Sequence, residues 1–124
     1  MPSEEQMRTA MQSYLDALNS ADVAGIISLF AEEGTVEDPV GKGVYGAREG
    51  LTRLVGGLPA GATFTLDTPV RASHASGAAM AFTVQLQRDG VRTQIRSLDV
   101  MQFDENGLIV EMKAYYGPSD ITTT

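Results

Sequence analysis

The segment Thr35-Val36-Glu37-Asp38-Pro39-Val40 lies where the sequence changes from a helical pattern to a strand-like pattern. Gly34 directly precedes it, and glycine often ends a helix in the left-handed conformation. Pro39 disfavours helical geometry at the residue before it, so the segment should be extended. Side chains two residues apart share a face of a strand, and Asp38 should therefore point inward with Val36.

An inward carboxylate beside a rigid proline is a candidate general base, because burial moves its pKa toward neutrality. Asp38 is accordingly the first candidate catalytic residue. The alternative is an exposed Asp-Pro turn, since aspartate often bonds its own backbone in turns. The segment alone leaves both interpretations open.

A helix is predicted to begin after Ser3, which forms a capping box with Gln6. One helical face then carries apolar side chains at spacings of four, three and four, namely Met7, Met11, Tyr14 and Leu18. Tyr14 is therefore predicted to be buried. A buried phenol usually has a hydrogen-bond partner, so Tyr14 is either a core tyrosine bonded to the backbone or a donor in a site.

Two further helices are predicted before the second half of the chain. The second follows Asp22, shows apolar residues at helical spacing up to Phe30, and ends at Gly34. The third runs from Ala47 to Val55 and is weakened by Gly50.

The second half indicates antiparallel strands joined by tight turns. Asp89-Gly90 and Asn106-Gly107 are the two hairpin signals. The predicted strands are residues 63–66, 79–87, 91–103 and 108–116, with 70–73 as an edge segment. Helices followed by a meander predict an α+β fold with the helices on one face of a sheet, in a single domain of residues 1–124.

Asp99 is the second unusual carboxylate. Counting by twos along its strand, it shares a face with Ile95, Ser97, Met101 and Phe103. Burial there would favour the neutral acid, which can donate a hydrogen bond. The alternative is a structural ion pair, for which the possible partners are Arg71, Arg92 and Arg96.

Composition excludes several classes of function. The formal net charge of -7 argues against binding nucleic acid or anionic membranes. The chain has no cysteine and one histidine, His74, in a predicted exposed loop, so a zinc site is not expected. No secretory signal and no apolar run of the roughly 18 residues of a membrane span is visible, which predicts a soluble cytoplasmic protein.

Tyr14, Asp38 and Asp99, each in similar local sequence, resemble bacterial ketosteroid isomerases of the nuclear transport factor 2-like superfamily. The similarity runs from about Met7 to Gly117. The stretches that carry it, besides Tyr14, are Val36–Val40, Pro69–His74, Leu98–Asp104 and Met112–Tyr115.

The resemblance implies a cone-shaped fold in which a curved sheet and three helices enclose a deep apolar pocket, in a homodimer and without metal or organic cofactor. Asp38 would be the base that moves a proton from carbon 4 to carbon 6 of a Δ5-3-ketosteroid. Tyr14 and a neutral Asp99 would donate to the oxygen on carbon 3, as in that family. The expected wall of the steroid pocket is Phe30, Val55, Phe82, Val84, Met101, Met112, Ala114 and Tyr116.

Three positions depart from the resembled family. Val55 and Phe30 lack hydroxyls that some members carry near the catalytic tyrosine, and Tyr116 makes the pocket wall more polar.

Two alternative functions therefore stay open. One is another enzyme on the same fold, such as a polyketide cyclase, dehydratase or epoxide hydrolase, and the other is a non-catalytic module that binds a hydrophobic ligand.

Overall fold

Three helices lie against one face of a seven-stranded sheet in the computed structural model, which describes residues 1–124. The inner face of the sheet and the helices share one hydrophobic core. The helices are α1 (Glu4–Asn19), α2 (Val23–Ile27) and α3 (Ala47–Gly56). The strands are β1 (Phe30–Glu37), β2 (Val44–Gly46), β3 (Thr63–Leu66), β4 (Gly77–Arg88), β5 (Val91–Phe103), β6 (Ile109–Tyr115) and β7 (Ile121–Thr123). The predicted α+β class is confirmed.

Helix α1 begins and ends at defined hydrogen bonds. The predicted capping box is present, because the Ser3 hydroxyl accepts from the Gln6 amide and the Gln6 side chain accepts from the Ser3 amide. At the other end, the Asn19 side chain bonds both backbone groups of Phe64 in β3, at 2.8 and 2.9 Å. These bonds hold the C-terminal end of α1 at the edge strand β3. The buried face of α1 includes Tyr14, as predicted.

The second helix is shorter than its periodicity predicts. It ends at Ile27, and Phe30 instead begins β1, where it pairs with Ile109. Gly34 lies within β1 and does not cap a helix. A Cβ on Gly34 would stand 3.0 Å from the carbonyl oxygen of Ile109, so glycine permits the close approach of the two strands.

Helix α3 spans one residue more than the predicted range. Gly50 is buried on the face that meets β1, and a Cβ there would overlap the side chain of Val36. The close contact between this helix and β1 therefore depends on a residue without a side chain.

The sheet has the strand order β2-β1-β6-β5-β4-β3, with β7 paired to β5. Neighbouring strands are antiparallel except β1 and β6, which run parallel. Strands β4 and β5 form a hairpin across Asp89 and Gly90, both with positive φ, as the sequence predicts. The predicted segment 70–73 is reduced to one isolated bridge between Arg71 and Ala79.

Strand β6 contains an irregularity that the alternating sequence pattern does not show. Its pairing with β5 shifts between Gln102 and Phe103, so Ile109 and Met112 both face the core. Ile109 is fully buried, whereas simple alternation places it on the opposite face from Met112. An extra residue in one strand moves one end of it to the other face.

The C-terminal residues form a strand that the sequence pattern did not indicate. After a short 3₁₀ turn, Ile121, Thr122 and Thr123 pair with Ile95, Gln94 and Thr93 of β5. None of the helices is long and apolar enough to cross a membrane.

Candidate active site

A cavity of about 100 Å³ opens between the helices and the inner face of the sheet. Its wall is apolar except where Tyr14, Asp38, Ser97 and Tyr116 reach it. The remaining lining residues are Leu18, Leu54, Leu58, Phe64, Phe82, Val84, Leu86 and Ile95. A small number of polar groups in an otherwise apolar cavity is typical of a site that binds a small molecule.

Asp38 follows the last residue of β1 and lines this cavity. The predicted alternation holds there, because Val36 is buried while Glu37 accepts a hydrogen bond from the amide of Gly41 at 3.0 Å. The segment after Asp38 is anchored to β6 by the Val40 amide, which donates to the Ala114 carbonyl at 2.8 Å. Burial raises the pKa of Asp38 from 3.8 to about 6.

Tyr14 reaches the cavity from α1 with only 1% of its surface exposed. Its ring is tilted against that of Phe30, with centroids 6.4 Å apart. Its hydroxyl makes no hydrogen bond within the protein, which leaves the donor available to a molecule in the cavity. Burial, and then the carboxyls of Asp99 and Asp38, raise the pKa of Tyr14.

Asp99 is 1% exposed on the inner face of β5 and has no ion-pair partner. The Ser97 hydroxyl donates to its Oδ1 at 3.2 Å, and its Oδ2 is enclosed without any partner. Burial raises the pKa of Asp99 well above its usual range, the nearby Asp38 raises it further, and the Ser97 hydrogen bond lowers it. The alternative of an ion pair with Arg71, Arg92 or Arg96 is wrong.

Of the eight wall residues predicted from the sequence, Phe82, Val84 and Tyr116 line the cavity. Burial, and then Asp38 and Asp99, raise the pKa of the half-buried Tyr116. The other five do not line it, because their side chains are packed in the core around it. They are Phe30, Val55, Met101, Met112 and Ala114, of which Met112 lines an adjoining depression beside Asp38.

Several lining residues were missed by the sequence reasoning. Ser97 and Ile95 share a strand face with Asp99, so the alternation along β5 is a signal that could have identified them. Leu58 follows α3 in an irregular segment, where no periodicity marks a side chain as inward.

Asp38 and Leu54 also line a second depression of about 280 Å³. Lys42, Tyr45 and Arg53 contribute polar groups to it, with the Arg53 guanidinium 4.7 Å from the centre of the Tyr45 ring. The two spaces therefore adjoin at Asp38 and Leu54.

The site combines one carboxylate that can take a proton near neutral pH with hydroxyl and carboxyl groups that hold theirs. Groups whose pKa values are pushed apart by their surroundings are suited to act as base and acid in one reaction. The apolar wall would favour a ligand with a polar atom at one end and a hydrophobic body.

Comparison with protein families finds a match between residues 11–112 and the SnoaL-like domain. The chain is 32% identical over 119 residues to the steroid Δ-isomerase of Nocardioides simplex, with 96% of each protein covered. It is 26% identical to the epoxide hydrolase LasB of Streptomyces lasalocidi, of which it covers 46%.

Three solved structures share the fold over almost the whole chain. SalBIII, described as an epoxide hydrolase/cyclase-like enzyme in pyran ring formation in salinomycin, superposes with a TM-score of 0.86 and 26% identity, with all of both chains covered. RV0760c of Mycobacterium tuberculosis gives 0.85 at 19% identity, again over all of both chains. A computationally designed 17-OHP binder gives 0.82 at 19% identity over 96% of each chain, and at this identity the likeness is one of fold.

Proposed function

Because the chain belongs to the SnoaL-like domain family of the nuclear transport factor 2-like superfamily, and is related to a bacterial steroid Δ-isomerase, we propose that it isomerises a Δ5-3-ketosteroid. The double bond would move from the Δ5 to the Δ4 position by transfer of one proton. The observation that carries the proposal is the set of acid and base groups around one apolar cavity.

In the first step, ionised Asp38 removes a proton from carbon 4, which lies beside the carbonyl. The electrons move toward the carbonyl oxygen and form a dienolate. The same carboxyl then returns the proton to carbon 6, so no second base is required. A carboxylate with a pKa of about 6 is suited to both steps, since general acid–base catalysis is most efficient near the working pH.

Tyr14 and the neutral carboxyl of Asp99 supply the acid side of the mechanism. Both keep their protons at neutral pH, because burial raises both pKa values. Hydrogen bonds to the oxygen on carbon 3 strengthen as it gains negative charge. Each such donor contributes about 2.7–4 kcal/mol when tested by removal in other enzymes.

The space available supports a ligand that is partly enclosed. The cavity of about 100 Å³ is smaller than the roughly 300–1,000 Å³ of most ligand pockets. The adjoining depression adds about 280 Å³. A flat ring system could then place its ketone near Tyr14 and extend the remaining rings toward solvent.

The experiment is a spectrophotometric assay for the conjugated enone formed from a Δ5-3-ketosteroid. We expect turnover by the wild-type protein and a loss of at least about 100-fold in Asp38→Asn, whose amide cannot accept the proton. The steroid should still bind this variant. Saturable binding without turnover in the wild type would favour a binding module instead.

Epoxide opening is the second candidate, favoured by the similarity to LasB and SalBIII. In it, Asp38 would deprotonate a hydroxyl or water nucleophile while Tyr14 protonates the epoxide oxygen. Conversion of a hydroxy-epoxide to a cyclic ether or a diol, detected by mass spectrometry, together with no steroid turnover, would select this reaction.

We also propose that the protein is a homodimer. Support comes from the outer face of the sheet, where Leu98 and Tyr115 lie directly opposite each other and are 44% and 45% exposed. In the sequence, Ile109, Val91 and Ile95 lie on strand faces interrupted by polar residues, which could also serve such an interface. Ile109 is buried in the core and Ile95 lines the cavity, so neither is free for a partner.

A further inference from the structure

The depression beside Asp38 is lined by apolar side chains and by two cationic ones. Its volume is about 280 Å³, and it adjoins the cavity at Asp38 and Leu54. Lys42 lies in the segment between β1 and β2, and Arg53 lies on α3. Both are exposed, and both line the depression. Two positive charges from separate elements therefore meet one concave surface next to the candidate base.

Neither cation is neutralised by the protein. Lys42 and Arg53 form no ion pair with any carboxylate. The Arg53 guanidinium lies 4.7 Å from the centre of the Tyr45 ring, a contact that orients it and leaves its charge in place. Glu37 and Glu49 are close in the sequence, but neither lines the depression, and Glu37 accepts a hydrogen bond from a backbone amide. The two cations are thus free to meet an anion.

We propose that Lys42 and Arg53 bind a carboxylate carried by the substrate, so that the substrate is an acidic ketosteroid. The steroid skeleton and its ketone come from the proposed isomerase function, on which this inference rests. A guanidinium presents parallel N–H donors that match the two oxygens of a carboxylate. The ammonium group adds a second positive charge on a flexible stem.

The sizes of the two spaces favour this arrangement. The cavity of about 100 Å³ is smaller than most ligand pockets, so a steroid with its ketone near Tyr14 extends past Asp38 and Leu54 into the depression. A carboxylate at the far end of the skeleton then meets Lys42 and Arg53. The ketone end is unsuited to this charge, because ionised Asp38 would repel a second carboxylate beside it.

The test compares two ligands that differ in charge, 3-oxo-4-androstene-17β-carboxylic acid and its 17β-carboxamide. Both carry the conjugated ketone of the reaction product, and the variable group lies at the opposite end of the skeleton. Affinities are measured by calorimetry for the wild type, Arg53→Gln, Lys42→Gln and Arg48→Gln, after circular dichroism has shown that each variant is folded. Arg48→Gln is the matched control, since it removes the same charge from an exposed position of α3 that does not line the depression.

We expect the wild type to bind the acid at least about tenfold more tightly than the amide. Arg53→Gln should weaken binding of the acid about tenfold and leave the amide unchanged, because it removes a charge-assisted hydrogen bond. Lys42→Gln should have a smaller effect in the same direction, since an ammonium group is more strongly hydrated than a guanidinium. Arg48→Gln should bind both ligands as the wild type does.

A wild-type protein that binds the acid no more tightly than the amide would overturn the proposal. Equal losses of acid affinity in Arg53→Gln and Arg48→Gln would overturn it as well. Turnover is a separate result, measured with a neutral Δ5-3-ketosteroid. Turnover without preference for the acid would contradict this inference alone, whereas selective binding of the acid without turnover would contradict the proposed isomerisation and still support carboxylate binding by Lys42 and Arg53.

Discussion

At the scale of single residues, the raised pKa of Asp38 lowers the free energy of unfolding at neutral pH. Its pKa is raised from 3.8 to about 6, so the folded protein binds more protons than the unfolded chain between these pH values. The free energy of unfolding must therefore fall as pH rises through this window. The shift corresponds to about 3 kcal/mol that ionised Asp38 costs the folded state above pH 6.

The variant Asp38→Asn removes this cost, because an amide does not ionise. We expect it to be more stable than the wild type at pH 7.5, by up to about 3 kcal/mol, and to show no such advantage at pH 4. Urea unfolding at several pH values measures the difference. A gain that is equal at both pH values would mean that ionisation of Asp38 is not its cause.

Asp99 should be the neutral acid at pH 7, because it is buried without a counterion. Its folded pKa lies above the unfolded one, so its contribution to stability also falls as pH rises from the unfolded value. Asp99→Asn keeps a donor of the same shape and should retain more activity than Asp99→Ala, which keeps none. Carbon NMR on labelled aspartate reads the protonation state, and an ionised Asp99 at pH 7 would contradict this prediction.

The sequence predicts the direction of each polar side chain in the site, but not which of them reaches the cavity. Strand alternation placed Asp38 and Asp99 inward, and the helical stripe placed Tyr14 inward. The alternation could not show that Ser97 lines the cavity and Asp99 does not, because both residues lie on the same face of β5. That distinction depends on the curvature and depth of the assembled core, to which distant elements contribute.

At the scale of elements, the helix α3 shows how two glycines of one helix can have opposite roles. Gly50 faces Val36 without room for a Cβ, whereas a Cβ at Gly56 would meet nothing within 4 Å. We expect Gly50→Ala to destabilise the protein by about 1–3 kcal/mol, since the added methyl must push α3 from β1. Because Asp38 directly follows β1, turnover should fall as well.

Gly56→Ala is the matched control, since it makes the same chemical change at an exposed position of α3. Alanine favours helix over glycine by up to about 1 kcal/mol, so this variant should be as stable as the wild type or more so. Urea unfolding of both variants gives the comparison. Equal effects of the two changes would show that helix propensity, rather than contact with Val36, decides the outcome.

Elements with a strong local pattern were predicted almost to the residue, and those decided by strand pairing were not. The bounds of β3 and β5 and the turn at Asp89 follow from alternation and turn residues alone. Phe30 fits the apolar face of a helix as well as that of a strand, and its pairing with Ile109 determines that it lies in a strand. This pairing joins residues that are far apart in the chain, so a local sequence pattern does not predict it.

At the scale of the whole molecule, we expect a second copy to bind at the outer face of the sheet. Leu98 and Tyr115 form an apolar centre there, and stable dimers bury roughly 800 Å² on each partner. In a two-fold dimer each substitution occurs twice at the interface. A single charge at Leu98 would thus place two like charges at a desolvated contact, and we expect Leu98→Glu to be monomeric in analytical ultracentrifugation at concentrations where the wild type is a dimer.

Val44→Glu provides the control for this experiment, because Val44 is 63% exposed on β2, at the opposite edge of the strand order from β3. It should leave the dimer intact. The cavity is already formed within the single chain, so we expect a folded Leu98→Glu monomer to keep its affinity for a Δ5-3-ketosteroid. A wild-type protein that sediments as a monomer, or a Leu98→Glu variant that remains a dimer, would exclude this face as the interface. Loss of affinity for this steroid in a folded monomer would instead show that the partner maintains the shape of the cavity.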